Sequence, residues 1–321
     1  THKVVSALTR RIADGDMIHI EDIQDQVELA LMRDEHHKVA RAYVLYREQR
    51  AASRYHTKKL KEQVGVKVSS MMVTKRDGTK EAVSLDKITN RVSVLSTGLS
   101  IDPIVVAQKA IPGLYNDITS TEIDNYLAET AAALTVEHPD YSYLAARIKS
   151  NALHKETPGF IITTKNLFED GLLKESYYKK VMENAEEIES IIDYDRDYSF
   201  DYFALTTLIR AYLLKFENKT IERPQDLWMR VSLTVSCNNF DINKLKKTYD
   251  TLSKGLYTHA TPTLFNSGLK MQQLSSCFLI GMEDDSIEGI FNTIKDCALI
   301  SKTAGGIGMH AHNIRGSGSR I

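Results

Sequence analysis

Four short segments near the end of the chain decide its fold: His259-Ala-Thr-Pro-Thr-Leu-Phe-Asn-Ser-Gly268, Leu274-Ser-Ser-Cys-Phe-Leu279, Asp284-Asp-Ser-Ile-Glu-Gly289 and Ser301-Lys-Thr-Ala-Gly-Gly-Ile-Gly308. They combine hydroxyl side chains, glycines, one cysteine and an acidic turn. This mixture is poor core material, but it suits a site that holds a phosphorylated sugar beside a thiol. The pattern predicts strands at 276–282 and 309–314 and a helix at 287–301, an order typical of an α/β barrel or sheet.

Composition narrows the class of protein. The chain has 321 residues, 41 basic and 42 acidic side chains and a net charge of -1, which argues against binding nucleic acid or a membrane surface through bulk charge. No apolar run approaches the ~18 residues that span a bilayer, and no signal peptide is visible. The three cysteines, Cys237, Cys277 and Cys297, lack disulfide-framework or zinc spacing. We therefore expect a cytoplasmic protein.

The first half of the chain contains an internal repeat. The segment Ile18–Ile23 recurs as Ile118–Ile123, and each copy opens an apolar-periodic helix. A second helix follows in both copies, at Val39–Arg47 and at Leu144–Ile148. One repeat at this spacing predicts a duplicated small domain rather than a solenoid. We expect the first copy to be truncated at Thr1, because it lacks the front half that the second copy has.

The second copy begins with a hairpin signal. Two β-prone runs, 70–75 and 80–85, are joined by Arg76-Asp-Gly-Thr79, and the Asp-Gly pair suits a tight turn. Asp86 is placed to cap a helix over 87–95. About four helices end near Glu156. Beyond Gly159, the periodicity predicts core-forming helices at 166–190, 199–216, 224–236 and 242–256.

The residues alone leave several functions open. Lys75 and Arg76 could bind a triphosphate, or they could be solvent-exposed side chains of a surface hairpin without a ligand. Cys277 could be a redox thiol or a small buried hydrophobe, and the acidic turn at 284–286 could be a simple helix cap. The segment Tyr194–Asp197 is predicted to be an ion-paired turn. Core packing is predicted for Trp228 and Met229, ordinary thiols for Cys237 and Cys297, and no metal site for the histidines His36, His37, His310 and His312.

The second repeat copy resembles a known domain. Its hairpin, the helix start Leu85–Ile88, the step Ile123-Asp124 and the closing His154–Thr157 are similar to the ATP-cone, the allosteric nucleotide-binding domain of ribonucleotide reductases. The resemblance implies ATP or dATP contacts at Val73, Lys75, Arg76, Lys87, Asp124 and Lys155. It also implies that the first copy is the back half of a second cone.

Residues 255–321 resemble the catalytic large subunit of class I ribonucleotide reductases. The resemblance makes Cys277 one half of the redox-active pair. It places substrate contacts at Thr261, Ser276, Gly305 and Gly306, and specificity-effector contacts at Asp285, Ser286, Ile287, Lys302 and Arg315. Glycines fit such a site, since backbone without a Cβ can approach a ligand closely.

The implied fold is α/β, mainly helical, with ATP-cone domains (a β-hairpin plus helices) followed by the start of a ten-stranded α/β barrel. The implied boundaries are a partial first cone at 1–55, a linker at 56–69, a complete cone at 70–157, a helical region at 158–256 and the beginning of the barrel at 257–321.

The implied activity is reduction of ribonucleoside diphosphates to deoxyribonucleoside diphosphates by thiyl-radical chemistry. Expected partners are a radical-generating small subunit with a dinuclear metal site, further copies of the chain in homodimers and higher oligomers, and thioredoxin or glutaredoxin as reductant. ATP, dATP and other deoxynucleotide effectors would bind with Mg²⁺, and the chain itself would bind no metal. The radical-bearing cysteine and the second redox cysteine are missing, so we expect this stretch alone to bind nucleotide without catalysing.

Two alternatives stay open, and a third fails on its cysteine count. A catalytically inactive nucleotide-binding regulator could be built from cone and reductase parts. The reductase could belong to class II or III. A cone-containing transcriptional repressor would need four cysteines at paired spacing, and the chain has three cysteines in all.

Overall fold

The computed structural model describes residues 20–34, 36–45, 47–48, 71–236 and 240–320. They group into two compact units: the described residues up to Val94 with Asp102–Thr119, and Leu95–Ile101 with the residues from Ser120 onward. The predicted linker at 56–69, the front of the first repeat copy and Cys237 lie outside the described residues. Within the described ranges, no helix is both long and apolar enough to cross a membrane.

The first unit opens with the two predicted helices of the first repeat copy. Helix α1 is Ile20–Arg33, and residues 37–45 form the second helix. Arg47 joins them, since its guanidinium lies 2.7 Å from the Asp25 carboxylate and 3.0 Å from that of Glu28. Both helix predictions are confirmed.

A three-stranded sheet follows in the first unit. Strands β1 (Met72–Thr74), β2 (Lys80–Ala82) and β3 (Ile118–Thr119) lie in the order β2-β1-β3. Strand β1 is antiparallel to β2 and parallel to β3. Gly78 turns the hairpin with a φ of 82°, in the left-handed region that glycine enters without a steric penalty. The predicted hairpin is confirmed.

Two helices complete the first unit. Helix α2 is Leu85–Leu95 and α3 is Pro103–Ala110, and a 3₁₀ turn spans Ile111–Gly113. The prediction that Asp86 caps α2 is wrong, because Asp86 lies within the first turn. Ser84 takes that role instead, its Oγ accepting from the Lys87 N–H at 3.3 Å. Both residue types satisfy exposed N–H groups at a helix start, so the register was ambiguous by two residues.

The second unit begins with a helix pair. Helix α4 (Ser120–Ala133) leads through a 3₁₀ turn at Leu134–Val136 to α5 (Asp140–Glu156), and the two helices pack on each other. Thr121 donates to the Glu156 carboxylate at 3.1 Å. The predicted four helices ending near Glu156 are thus observed as α2 to α5.

A helical region follows, with one shared core. Its elements are α6 (Phe160–Glu169), α7 (Glu175–Glu183), α8 (Ala185–Ile191), a 3₁₀ segment (Tyr194–Ser199), α9 (Tyr202–Thr207), a π-helical turn (Leu208–Tyr212), β4 (Lys215–Phe216), β5 (Lys219–Thr220), α10 (Pro224–Ser236) and α11 (Ile242–Ser253). Buried apolar side chains run through the region, and Trp228 and Met229 belong to this core as predicted. Helix α10 has the predicted bounds.

Two predictions in this region are wrong in detail. The single helix expected at 166–190 is three helices, because Gly171 adopts a φ of 73° and Leu173 pairs with Leu269. The helix expected at 199–216 gives way to the β4–β5 hairpin. Glu217 and Asn218 turn this hairpin with φ values of 48° and 64°, the primed-turn geometry that usually needs glycine.

The unit ends in helix α12 (Thr261–Asn266) and a parallel β-α-β element: β6 (Cys277–Gly281), α13 (Ile287–Lys302) and β7 (Gly306–His310). This confirms a mainly helical α/β fold. Strand β7 begins three residues before the predicted 309–314, and Ala311–Ile314 is not a strand. Glycines weaken a strand signal, but pairing with β6 overrides that weakness.

A buried ion pair joins the helical region to α12. The Arg230 guanidinium donates to Glu222 at 2.6 and 3.1 Å, and both side chains are 2% exposed. Two further N–H groups of Arg230 donate to the carbonyls of Ser267 and Leu264, and Glu222 also accepts from the Leu214 N–H. Every charge is therefore met by a partner, as a buried pair requires.

Replacing Glu222→Gln should strongly destabilise the fold, because it leaves the Arg230 guanidinium buried without a counterion. We expect a loss of about 3–5 kcal/mol in unfolding free energy, measured by urea denaturation. The matched control is Glu175→Gln, which breaks the exposed pair with Lys179 and should leave the unfolding free energy close to that of the parent, because solvent screens an exposed pair. Equal losses in the two variants would contradict this account.

A buried polar cluster lies at the C-terminal end of α5, around His154. His154 Nε2 lies 2.7 Å from Asp197, which also accepts from Gln225. Nearby, Asp226 accepts from the Tyr194 hydroxyl at 2.7 Å and from the Arg223 N–H at 3.0 Å. Burial raises the pKa of Asp226 to about 7 despite these donors. The Tyr194–Asp197 turn is ion-paired as predicted, with Arg196 bound to Asp193 and Asp250, and it also carries buried hydrogen bonds.

Asp226 should make stability depend on pH. Because the folded-state pKa lies above the ordinary value of 3.8, the folded state holds the proton more tightly. The stabilisation that proton binding to Asp226 gives the folded state is full below about pH 4 and is lost as the pH rises through about 7. The slope is at most about 1.4 kcal/mol per pH unit. Urea denaturation from about pH 5 to 8 should show the advantage of the parent over Asp226→Asn shrinking as the pH rises. Parallel profiles would contradict the raised pKa.

Candidate functional site

The first candidate site is a charged cluster on the hairpin of the first unit. Lys75 lies 2.7 Å from the Glu81 carboxylate, and Lys87 at the start of α2 lies 3.0 Å from the same group. These hydrogen bonds lower the pKa of Glu81, and the bond to Glu81 raises the pKa of Lys75. The shared carboxylate thus gathers two cations from different elements into one patch that suits an anionic ligand.

Four of the six residues predicted to contact ATP lie in this first unit. Val73 is buried in β1 beside Lys75, Arg76 is exposed in the turn, and Lys87 lies on α2. The other two lie in the second unit: Asp124 is buried on α4, and Lys155 is exposed on the last turn of α5. Glu81 was missed from the sequence. Its only signal is its position on β2, where strand alternation places it beside Lys75.

The second candidate site surrounds Cys277. Strand pairing sets Cys277 opposite Gly306, and the Gly306 N–H donates to the Ser276 carbonyl at 2.7 Å. Both Ser276 and Cys277 are exposed. A Cβ on Gly306 would lie 3.6 Å from the Cys277 sulfur. The structure therefore brings three predicted residues together and leaves the thiol open to a ligand.

Helix α12 brings the predicted Thr261 to the same region. The Thr263 hydroxyl donates to the Leu274 carbonyl at 3.1 Å, which holds α12 against the segment leading into β6. Thr261 is half-buried at the first position of α12, with its hydroxyl 3.3 Å from that of Tyr212. Tyr212 lies outside all the predicted motifs, since its π-helical turn gave no sequence signal.

Gly305 allows close packing at the end of α13. The chain leaves α13 with the Ala304 N–H bonded to the Ser301 carbonyl and the Gly305 N–H bonded to that of Ile300, the pattern of a Schellman motif. Ala304 takes the left-handed position with a φ of 62°. A Cβ on Gly305 would lie 2.6 Å from Ile300 Cγ2 and 2.9 Å from Phe278 Cε2. The absent side chain thus lets β6, α13 and β7 close up.

Four of the five predicted specificity residues, Asp285, Ser286, Ile287 and Arg315, are gathered at the other end of the β-α-β element. Arg315 Nε donates to Asp285 Oδ2 at 2.6 Å, and the Arg315 backbone N–H donates to the same oxygen. Ser286 caps α13 by accepting from the Gly289 N–H at 3.0 Å. The helix-cap interpretation is therefore confirmed for Ser286. Asp285 Oδ1 is buried without a hydrogen-bond partner, so its capacity to accept a hydrogen bond is unused.

Lys302 is not brought to this group. Ile287 and Lys302 are the first and last residues of α13, so they lie about 22 Å apart at a rise of ~1.5 Å per residue. Ile287 is exposed beside Ser286, and Lys302 is exposed at the far end. One copy of the chain therefore offers Asp285, Ser286, Ile287 and Arg315 at one place and Lys302 at another.

Metal ligands are scarce where the structure describes the chain. His310 and His312 approach within 2.6 Å through their Nδ1 atoms. Among the described residues, however, no three His, Cys, Asp or Glu side chains cluster as a metal site would require. Both described cysteines, Cys277 and the half-buried Cys297, are unpaired.

Comparison with known families covers most of the chain. A model described as "ATP cone domain" matches residues 1–52 and 71–156. Models of the all-alpha domain and the barrel domain of ribonucleotide reductase match residues 198–272 and 275–321. The three domains follow one another in the order that the sequence resemblance implies.

Similar proteins of known identity point to the same family as the domain matches. The ribonucleoside-diphosphate reductase large subunit of Arabidopsis thaliana is 48% identical over 264 residues, 78% of this chain and 32% of the relative. The large chain of Schizosaccharomyces pombe is 47% identical over 264 residues, with the same shares. The Dictyostelium discoideum large subunit is 47% identical over 271 residues, 79% and 31% of the two chains. The chain spans about a third of the length of these relatives.

The packing role of Gly305 gives a stability prediction. In Gly305→Ala, the new methyl would overlap Ile300 and Phe278, so the unfolding free energy should fall by about 1–3 kcal/mol in urea denaturation. Gly316→Ala is the matched control, since nothing lies within 4 Å of its Cβ position, and its effect should stay within about 0.5 kcal/mol. Similar values for both variants would refute the close packing at Gly305.

Proposed function

The chain belongs to the family of ribonucleotide reductase large subunits, and on that premise we propose that it forms the nucleotide-sensing region and the first barrel strands of a class I ribonucleoside-diphosphate reductase. The observation that carries the proposal is the pairing of Cys277 with Gly306, with Ser276 and helix α12 beside it. An exposed thiol lies there among hydroxyl groups and beside glycine backbone, a setting suited to the reduction of a sugar diphosphate.

The proposed reaction replaces the 2′-hydroxyl of a ribonucleoside diphosphate with hydrogen by thiyl-radical chemistry. The hydroxyl leaves as water, and two thiols supply two electrons and become a disulfide. Cys277 is proposed as one of these thiols. Its place at the exposed start of β6 would also let thioredoxin or glutaredoxin reduce the disulfide by thiol exchange. Thr261 and Ser276 would hold ribose or phosphate oxygens, with Gly305 and Gly306 forming the adjacent backbone.

An effector deoxynucleotide is proposed to bind at Asp285. The unpartnered Oδ1 atom would accept from a deoxyribose hydroxyl, and Ser286 and Ile287 would flank it. Arg315, already bonded to Oδ2, would orient the carboxylate and face a phosphate. Because Lys302 lies at the far end of α13, Lys302 of a second copy would complete the site. This arrangement supports a homodimer.

The hairpin cluster is proposed as the overall-activity site for ATP and dATP. Lys75, Arg76 and Lys87 would bind the polyphosphate of the Mg²⁺-bound nucleotide, and the Glu81 carboxylate holds the two lysines together in one patch. Val73, on strand β1 just before Lys75, is proposed as a further contact, as are Asp124 and Lys155. Nucleotide binding would then control activity through higher oligomers.

The remaining parts of the proposal concern the assembled enzyme. A small subunit with a dinuclear metal site would generate the radical, in the cytoplasm, and the large subunit would hold no resident metal.

Calorimetric titration with ATP and dATP tests the sensing role. The parent chain should bind saturably, and the double variant Lys75→Ala, Arg76→Ala should bind at least about 10-fold more weakly, because it loses charge-assisted hydrogen bonds to the phosphates. Lys80→Ala is the matched control. Lys80 is a cation of the same hairpin, but it pairs with Asp117, the residue before β3, and it is not part of the proposed site.

The control should retain the parent affinity. An equal loss in Lys80→Ala would show that only the bulk charge of the hairpin matters, and the site would not be specific. Absence of binding by a folded parent chain would remove the nucleotide-sensing role from this region. The proposal for Cys277 would then stand on the barrel segment alone.

A further inference from the structure

Three chain segments carry the residues of the proposed substrate site: α12 with Thr261, the approach to β6 with Ser276 and Cys277, and the turn from α13 to β7 with Gly305 and Gly306. One side chain touches all three. Asn266, the half-buried last residue of α12, donates from Nδ2 to the Gln273 carbonyl at 2.8 Å and to the Thr303 carbonyl at 3.3 Å.

Both protons of the Asn266 amide are therefore committed to main-chain acceptors. An amide nitrogen has two N–H donors, and here one points to each neighbouring segment. The acceptors lie close along the chain to the proposed site, since Gln273 precedes Ser276 and Thr303 precedes Gly305. A shift of either segment would break one of these bonds.

Gln273 closes the same arrangement from the other side. Its Oε1 accepts from the Ser275 N–H at 2.5 Å, and its Nε2 lies 3.5 Å from the Thr303 hydroxyl. The Gly306 N–H bond to the Ser276 carbonyl at 2.7 Å then completes the link between the two outer segments. The side chains of Asn266 and Gln273 thus fix the position of the segment that carries Ser276 relative to the segment that carries Gly306.

Helix α12 gives Asn266 a fixed base. The buried guanidinium of Arg230 binds the carbonyls of Leu264 and Ser267, on either side of Asn266 in sequence. The Thr263 hydroxyl adds a third tie, to the Leu274 carbonyl. The backbone of Asn266 is therefore held by the helical core, while its side chain reaches into the site.

We propose that Asn266 is a positioning residue of the ribonucleoside diphosphate site, which places the Ser276–Cys277 segment and the Gly305–Gly306 backbone at the separation that the substrate needs. The proposal rests on the function proposed above for these segments. Asn266 does not touch the reacting atoms. It acts through the two carbonyls that it binds, and its contribution comes from its N–H groups rather than from its volume.

Asn266→Asp isolates this contribution, because it preserves the shape and removes both donors. An ionised carboxylate would face two carbonyl oxygens and repel them. The protonated acid would instead donate one O–H bond, so lowering the pH should partly restore the function. Asn266→Ala removes the donors without adding a titratable group, so its defect should not improve on acidification. Asn243→Asp, an exposed position on α11, is the control for the added charge.

Two measurements on the full chain test the proposal: amide hydrogen exchange followed by NMR, and calorimetric titration with cytidine diphosphate. At neutral pH, Asn266→Asp and Asn266→Ala should each raise the exchange rate of the Gly306 amide by about 10-fold and weaken cytidine diphosphate binding by about 10-fold, as expected for lost hydrogen bonds. Amides in the core helix α10 should exchange at the parent rate. Asn243→Asp should match the parent in both measurements.

Unchanged exchange at Gly306 in both Asn266 variants would overturn the proposal. A uniform rise across α10 and β7, or a defect of Asn266→Asp that does not shrink on acidification, would also overturn it, by showing a general folding role. A parent chain that binds no cytidine diphosphate would count against the proposed substrate site. The exchange measurement would still decide whether Asn266 sets the position of Gly306.

Discussion

The buried pair of Arg230 and Glu222 is the interaction on which the rest of the second unit depends. Arg230 comes from the central helix α10, and through its four hydrogen bonds it reaches Glu222, Leu264 and Ser267. A guanidinium can serve carboxylate and carbonyls together because its donors form a rigid planar fork. The pair therefore fixes α12 to the helical core, and α12 in turn fixes the segments that follow it. Site geometry is inherited from a charge pair that lies away from the site.

Main-chain hydrogen bonds dominate the region around Cys277. The Gly306 N–H, the Ser276 carbonyl and the carbonyls of Gln273 and Thr303 are all occupied within the protein. This leaves the exposed thiol and hydroxyls as the groups available to a ligand there. The acidic end of α13 is organised differently, because Asp285 keeps one buried oxygen without a partner. One region thus offers side-chain donors and a thiol, and the other an unsatisfied acceptor prepared for a hydroxyl.

Sequence patterns located most elements but not their breaks. Helix α10 was predicted to the residue, since Pro224 marks its start and its apolar spacing is regular. The hairpin at Gly78 was equally clear. The sequence does not predict the β4–β5 hairpin, because its turn is formed by Glu217 and Asn218 with positive φ rather than by glycine. The start of β7 is predicted three residues late, because glycines weaken the strand pattern there. Ala304, rather than either following glycine, takes the left-handed position at the end of α13. In each case tertiary contacts overrode a local preference.

By itself, the sequence determined the order of the elements, the motifs around Cys277 and Asp285, and the family resemblance, because these depend on residue types and short spacings. Only the tertiary structure decided which groups meet. Glu81 joins Lys75 to Lys87, Asn266 joins three segments, and Lys302 is separated from Asp285 by the length of a helix. The reason is physical: hydrogen bonds and ion pairs form between residues that are distant along the chain, and their distances are set by how helices and strands pack, which local pattern does not encode.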